Sequence, residues 1–381
     1  MRSLDHELTI FKKFFKDSEI YSILEKVLEG EDLTFKEYVE LLESWDIHAL
    51  GFVANALTNT LTENCVSIVN NVVVNYSNIC VAKCPLCAFY KDLNSPEAYT
   101  LQPKEVLEQV YDAWIKHGVI EVHFNGGFNP ELSIEYFEET FKLIKSKIPN
   151  IIIKGLTMAE IWFYAKIWRM SYREILERLK TAGLDVICGG GAEIYNEEVR
   201  KIIAPRKLSG EEWIRIAEIA HSLGIPSNAT ILYGHIEKSE HIIEHLLKVR
   251  ELQEKTNGIL MFIPLKFSPW NTELYRKGLV KESAPAILDL KITALSRIVL
   301  RDKVVKIGAY WIGLGKKLAQ VMLNFGANDL VGTMINEKVY REAGRMEMTT
   351  IEELLHMVRE VGKTLVLRDT FHRVIRVLET N

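Results

Sequence analysis

The chain lacks the features that mark secreted and membrane proteins. None of its apolar runs approaches the ~18 residues that a membrane span needs. Residues 1–19 show no basic start, apolar core or small-residue cleavage site of a signal peptide. The chain has five cysteines, an odd number that does not suit a disulfide framework. We therefore expect a protein of the reducing cytoplasm.

The chain also lacks an excess of charge of one sign, because 47 Lys and Arg residues face 51 Asp and Glu residues for a net charge of −4. Such a balance creates no general attraction to a nucleic-acid backbone or to an anionic membrane. A composition that is 48% hydrophobic and 26% charged is typical of a globular protein. We expect neither nucleic acid nor membrane as a partner.

Short β-branched runs alternate with helical stretches from residue 72 onwards. The runs cover residues 72–76, 119–124, 151–155, 185–188, 225–232, 260–264, 306–311 and 329–332. Alternation of strand and helix predicts parallel strands joined by crossover helices, and eight such strands make a (β/α)₈ TIM-type barrel of the α/β class. A doubly wound open sheet is the structural alternative.

Helical patterns flank this region at both ends. Apolar residues recur at helical spacing before residue 70, and Thr34 is placed to cap a helix there. Residues 335–381 also have a helical pattern and end in a charged stretch. The sequence thus predicts an N-terminal helical extension (1–70), a barrel (71–334) and a C-terminal helical extension (335–381).

Three of the five cysteines, Cys80, Cys84 and Cys87, fall within eight residues directly after the first predicted barrel strand. Thiolates are soft ligands that suit zinc or an iron–sulfur cluster. Zinc normally takes four protein ligands in a closed structural site, and no fourth ligand lies nearby in the sequence. The pattern favours a cluster with one open iron; packed thiols, a zinc site and an electron-transfer cluster with a distant fourth cysteine are the alternatives.

The spacing Cys-x₃-Cys-x₂-Cys after the first strand of a barrel resembles the radical S-adenosylmethionine (SAM) superfamily. The resemblance implies a [4Fe–4S] cluster held by the three cysteines, with SAM chelated by the open iron through its amino and carboxylate groups. It also implies cleavage of SAM to a 5′-deoxyadenosyl radical. The electron would come from a donor such as flavodoxin or ferredoxin, and the substrate would be a small molecule.

A narrower resemblance covers residues 70–345. The matching segments are residues 75–80, 87–90, 189–194, 227–230, 232–237, 262–264, 318–320 and 325–330. They are similar to the group that contains aminofutalosine synthase, dehypoxanthine futalosine cyclase and FO synthase, and are closest to the synthase. That resemblance implies addition of the radical to an enolpyruvyl ether of benzoate in menaquinone biosynthesis. The alternatives are a cyclase-like or FO synthase-like reaction, or a diverged substrate.

The resemblance also assigns residues to SAM. It implies that Phe89 and Tyr90 contact the adenine, that Gly126 and Gly127 lie against the methionine amino group, and that Glu193 binds the ribose hydroxyls. Glycines after a strand allow close backbone approach to a ligand. Without the resemblance, these positions read as core packing, a turn and a loop salt bridge.

Three further polar residues follow predicted strands. Asn228 and Thr230 alternate toward one face and are candidates for lining the SAM pocket, with a buried structural role as the alternative. His235 is a candidate acid–base group, or a histidine whose hydrogen bonds are satisfied within a loop. We assign His235 and Glu193 as the candidate catalytic residues.

The candidate substrate positions depart from the family pattern. Asn129 stands where the family usually has His, and Trp270 replaces a frequent Glu. A benzoate with a second carboxylate calls for cationic partners, for which Lys154, Arg206 and Lys266 are candidates. Each of the three could equally be an ordinary surface charge.

Two further motifs indicate other chemistry only weakly. His241, Glu244 and His245 match an inverted zinc-peptidase motif, but they lie on a helix whose apolar stripe leaves both histidines on its flank. Residues 313–317 look like a phosphate loop but lack its full spacing. We assign no function to either motif.

Overall fold

The computed structural model describes residues 4–345 and 348–378. Four helices form the N-terminal extension: α1 Leu4–Phe14, α2 Tyr21–Glu29, α3 Phe35–Glu43 and α4 Ile47–Thr62. Thr34 caps α3 as predicted, since its side chain accepts a hydrogen bond from the Glu37 backbone N–H and the Glu37 carboxylate accepts one from the Thr34 backbone N–H. In the part of the chain that the structure describes, no helix is long and apolar enough to cross a membrane.

Seven parallel strands follow one another round the central sheet in chain order. They are β2 Asn71–Asn75, β3 Glu121–Asn125, β4 Ile152–Thr157, β5 Val186–Cys188, β6 Ser227–Tyr233, β7 Ile259–Lys266 and β8 Lys306–Ile307. Helices lie between and after them: α5 Pro103–His117, α6 Ile134–Lys147, α7 Met158–Trp168, α8 Tyr172–Ala182, α9 Glu197–Ile203, α10 Gly210–Ser222, α11 Ser239–Thr256, α12 Glu273–Arg276, α13 Ala286–Leu300, α14 Trp311–Leu314 and α15 Lys316–Met322. Because every strand points the same way, all their carboxyl ends meet at one face.

An extended segment closes the ring where the eighth strand was predicted. The Asn328 backbone N–H donates to the Ile307 carbonyl of β8 (3.0 Å), and on the other side the Ile335 carbonyl accepts from the Val73 N–H of β2 (2.7 Å). Residues 328–335 thus hydrogen-bond to both ends of the sheet, although they are too irregular to count as a strand. The closed barrel confirms the TIM-type prediction over the open sheet.

The ends of the chain correct part of the helical prediction. Residues 335–381 contain α16 Val339–Glu342 and α17 Ile351–Glu360, but also β9 Thr364–Arg368 and β10 Val374–Leu378, while β1 Cys65–Ile68 lies within the predicted N-terminal helical region. These strands form a small sheet in the order β1-β9-β10. Their β-branched residues favour strands, and β1 offers an edge on which β9 pairs in parallel. Residues 346, 347 and 379–381 of that prediction lie outside the described residues.

The small sheet joins both ends of the chain to the barrel through a buried ion pair. Arg368 on β9 donates two hydrogen bonds to Asp329 of the closing segment, at 2.6 and 2.9 Å. The Ser67 hydroxyl donates a third at 2.6 Å. Because residues from both extensions meet here, the three-part division at residues 70 and 334 stays a prediction.

Candidate active site

The cysteine loop lies over the carboxyl ends of the strands, between β2 and α5. Cys80, Cys84 and Cys87 all line a cavity of about 240 Å³. Backbone hydrogen bonds hold the loop: Cys80 N–H donates to the Lys91 carbonyl, and Val81 N–H donates to the Phe128 carbonyl. The loop is therefore fixed before any ligand binds.

The three cysteine side chains are suited to bind a metal cluster. All three thiols are free, and burial raises the pKa of Cys84 to about 12 and raises the pKa of Cys87. A metal lowers such pKa values and converts the thiols to thiolates. Within the residues described, no three His, Cys, Asp or Glu side chains converge closely enough to hold one metal ion. Three separated thiols around one cavity suit a multi-iron cluster, so the donor set fits [4Fe–4S].

A glycine pair forms the next wall of the cavity. A Cβ on Gly127 would lie 2.2 Å from the Ile79 carbonyl oxygen and 2.9 Å from the Cβ of Cys80, so only glycine fits beside the cysteine loop. A Cβ on Gly126 would lie 2.8 Å from the Tyr76 ring. Phe89 and Tyr90 line the same cavity. The structure thus brings together all four of these predicted SAM contacts.

A buried ion pair lies opposite the glycines. Glu193 accepts a hydrogen bond from the Lys207 ammonium at 2.7 Å, and both side chains line the cavity. Burial would raise the pKa of Glu193, but Lys207 outweighs burial and the pKa lies below its usual value. Sequence reasoning chose the neighbouring Arg206, which is exposed and does not line the cavity. The sequence alone gives no sign of which of two adjacent cationic residues in a loop faces the cavity, so it does not single out Lys207.

The far side of the cavity is mostly apolar. Among the residues that the structure describes, Lys266 at the end of β7 supplies the positive charge on this side of the cavity. Its ammonium group lies 2.6 Å from the Asp289 carboxylate. The Tyr340 hydroxyl donates to the Lys266 carbonyl at 2.8 Å, which fixes the backbone there. The remaining wall consists of Leu232, Leu265, Phe267, Ser268, Val339 and Ala343.

Three predicted polar residues lie away from the cavity lining. The Thr230 hydroxyl donates to the Gly189 carbonyl at 2.8 Å, and Asn228 packs its backbone against the same glycine. The buried His235 ring lies 2.7 Å from the Glu237 carboxylate through Nδ1 and 3.0 Å from the Leu232 carbonyl through Nε2. Its hydrogen bonds are thus satisfied within the loop, which favours the structural alternative over acid–base catalysis.

Three predicted substrate residues also lie elsewhere. The Asn129 amide bonds Thr100 (2.9 Å) and the Glu131 backbone (3.0 Å), so it stabilises its own loop. Lys154 points into the barrel and pairs with Glu121 at 2.9 Å. Trp270 is 39% exposed. Of the five predicted substrate residues, Lys266 alone lines the cavity.

The zinc-peptidase motif has an ordinary structural explanation. His245 is buried, accepts a hydrogen bond from the Tyr195 backbone (3.2 Å) and lies 3.0 Å from the Thr230 carbonyl. Burial lowers the pKa of His245 to about 3, so the ring stays neutral. His245 therefore packs α11 against β6, which corrects the prediction that both histidines lie on the flank of the helix.

Comparison with known proteins agrees with this site. The radical SAM superfamily model matches residues 74–249, and the CofH/MqnC C-terminal region matches residues 256–379. Aminodeoxyfutalosine synthase of Thermus thermophilus is 37% identical over 95% of this chain and 97% of its own length. The 5-amino-6-(D-ribitylamino)uracil–L-tyrosine 4-hydroxyphenyl transferase of Methanopyrus kandleri is 39% identical over 82% of this chain and 85% of its own.

Solved structures share the fold at low sequence identity. Methylornithine synthase superimposes with a TM-score of 0.69 at 20% identity, covering 89% of this chain and 96% of its own. The [FeFe]-hydrogenase maturase HydG gives 0.71 at 19% identity, covering 95% and 79%. The two family models and the relatives above 30% identity show that the chain belongs to the radical SAM superfamily and is an enzyme that uses a [4Fe–4S] cluster and SAM.

Proposed function

We propose that the enzyme is an aminofutalosine synthase. It would break the bond between sulfur and the 5′-carbon of SAM, release methionine and join the adenosyl group to the enol-ether carbon of 3-[(1-carboxyvinyl)oxy]benzoate, with rearrangement and loss of carbon dioxide, in menaquinone biosynthesis. The observation that carries the proposal is the far wall of the cavity, which is apolar apart from Lys266, Ser268 and the nearby Tyr340. Such a wall suits one aromatic acid.

Each part of the cavity has a task in this proposal. Cys80, Cys84 and Cys87 would hold the cluster, and when bound the cluster and SAM supply a 5′-deoxyadenosyl radical. Lys207 is placed to attract a carboxylate toward the cluster side. Leu232 and Phe267 exclude water from the reacting carbon. An external reductant such as a flavodoxin or ferredoxin would supply the electron in the cytoplasm.

The second candidate is the tyrosine 4-hydroxyphenyl transferase reaction, which the 39% identity to the Methanopyrus relative favours. That relative's name implies tyrosine and a ribityl-bearing uracil as substrates. A polyhydroxylated chain needs many hydrogen-bonding partners, whereas the far wall offers few.

The test measures SAM consumption by the reconstituted enzyme with either substrate set. Stimulation by the enolpyruvyl benzoate supports the synthase, and stimulation by tyrosine with the uracil contradicts it.

Lys266→Met should weaken substrate binding without stopping radical formation. Removing the cation that faces the apolar wall should raise KM for the enolpyruvyl benzoate about tenfold or more, since a charged hydrogen bond contributes about 1.5–3 kcal/mol. Substrate-independent cleavage of SAM should stay within about twofold of the wild-type rate. Steady-state kinetics with product detection by mass spectrometry measure both quantities.

Arg206→Met is the matched control, because the same change is made to an exposed cation outside the cavity. Its KM should equal that of the wild type. Thermal unfolding of both variants checks that Asp289, which loses its partner in Lys266→Met, has not destabilised the barrel. An unchanged KM in a folded Lys266→Met protein would remove Lys266 from the substrate site.

A further inference from the structure

Arg200 on α9 is a buried arginine that lies outside the cavity lining, with 2% of its surface exposed. Among the described residues, its guanidinium donates five hydrogen bonds, and each goes to a backbone carbonyl. The acceptors are Gly191 (3.4 Å), Ala192, Ile194 (2.9 Å) and Leu208, which accepts twice at 2.6 and 3.1 Å. All five N–H donors of the arginine are therefore used.

These carbonyls belong to the two loops that carry the Glu193–Lys207 ion pair. Residues 191, 192 and 194 flank Glu193 in the loop after β5, and Leu208 directly follows Lys207. The remaining carbonyl of the first loop, that of Glu193, accepts from the Leu232 N–H of β6 at 2.7 Å. Arg200 and β6 together thus satisfy the carbonyls of residues 191–194, and Arg200 also joins the first loop to the second.

The loop around Glu193 has an unfavourable backbone conformation. Glu193 has a φ of 48° and Gly191 a φ of 80°, both in the left-handed region. For a residue other than glycine this region costs free energy, so it persists only where the surroundings impose it. The carbonyls that converge on Arg200 provide such surroundings. A planar guanidinium can satisfy four carbonyls at once, whereas a lysine ammonium has three donors in all.

We propose that Arg200 is a positioning residue for SAM binding, which fixes Glu193 in the orientation that faces the cavity. Glu193 is the predicted contact for the ribose hydroxyls, and Arg200 acts on the ligand through it. The alternative is that Arg200 only stabilises the fold. The inference depends on the use of SAM and not on which substrate the radical attacks.

The test is a double-mutant cycle on the binding of S-adenosylhomocysteine, which shares its adenosyl group with SAM. Anaerobic calorimetry on cluster-reconstituted enzyme gives the dissociation constants. We expect Arg200→Lys to raise the dissociation constant roughly tenfold or more, because three donors cannot hold four carbonyls. In a Glu193→Ala background the same change should raise it about twofold at most, since the side chain through which Arg200 acts is already missing.

Arg206→Lys is the matched control, because it makes the same change at an exposed arginine outside the cavity. It should bind the ligand as the wild type does. All variants should keep the wild-type iron content and cluster absorbance, since no cysteine is changed. Thermal unfolding checks their folding, and Arg200→Gln, which is neutral and has two donors, replaces Arg200→Lys if the lysine variant does not fold.

Three results would overturn the assignment. They are an unchanged dissociation constant in a folded Arg200 variant, an equal loss of affinity with and without Glu193, and loss of the cluster from the Arg200 variant. An equal loss is what a residue that only stabilises the fold would produce, because the effects of uncoupled residues add. None of these measurements uses the benzoate, so a failure here leaves the proposed addition reaction standing.

Discussion

Cys84→Ala should abolish the cluster and all cleavage of SAM. Cys84 is the most buried of the three cavity cysteines, at 2% exposure, so no solvent thiol or neighbouring side chain can replace it. With two thiolates left, a [4Fe–4S] cluster has too few ligands to assemble. After anaerobic reconstitution the variant should show no cluster absorbance, no iron beyond background and no 5′-deoxyadenosine.

Cys65→Ala provides the control for this experiment. Cys65 begins β1 of the small sheet and does not line the cavity. Its loss should leave the iron content and the SAM cleavage rate at wild-type values. If Cys84→Ala kept its cluster, or if Cys65→Ala lost it, the assignment of the cysteine loop would be wrong.

Arg368→Met should destabilise the fold by about 3–5 kcal/mol, because it leaves the Asp329 carboxylate buried without its cation. Asp329 is fully buried and holds the closing segment of the barrel. Burial would raise its pKa, but Arg368 outweighs burial and the pKa is about 2. A lowered pKa means that this stabilisation is complete above about pH 4 and is lost as the pH falls toward the folded value. Urea unfolding at pH 7 measures the change.

The double variant Arg368→Met with Asp329→Asn tests the cause. An asparagine keeps one oxygen acceptor for the Val331 backbone N–H and turns an amide N–H donor toward the Ser67 hydroxyl oxygen, and it carries no charge, so the double variant should be more stable than Arg368→Met alone. If the two unfold at the same urea concentration, lost packing of the arginine stem, and not the unpaired charge, explains the effect. If neither is destabilised, the ion pair does not hold the barrel closed.

The parts of the structure that depend on local pattern could be predicted. Parallel strands follow from alternating β-branched and amphipathic segments, and the cysteine loop follows from a spacing of eight residues. The two terminal strands β9 and β10 could not, because β9 pairs with β1 about 300 residues away in the chain. Such pairing depends on tertiary context, which overrides local propensity.

The residues of the candidate site likewise fall into those that local pattern predicts and those that it does not. Gly126, Gly127 and Glu193 stand in motifs at strand ends and lie in the cavity, whereas Lys207 lies in a stretch that reads as an ordinary basic loop. The place of Lys207 in the cavity depends on its burial and on its partner Glu193, which one sequence does not contain. Lys154 lies inside the barrel and away from the cavity lining because it pairs with Glu121 on another strand, a partner that the local sequence does not reveal.

We propose that this cavity makes an adenosyl radical and adds it to an enolpyruvyl benzoate. The direct measurement is mass spectrometry of an anaerobic reaction of reconstituted enzyme with SAM and dithionite, with and without 3-[(1-carboxyvinyl)oxy]benzoate. We predict a product that retains the adenosyl group and forms only when the benzoate is present. Release of 5′-deoxyadenosine alone, at a rate indifferent to the benzoate, would contradict the proposed addition.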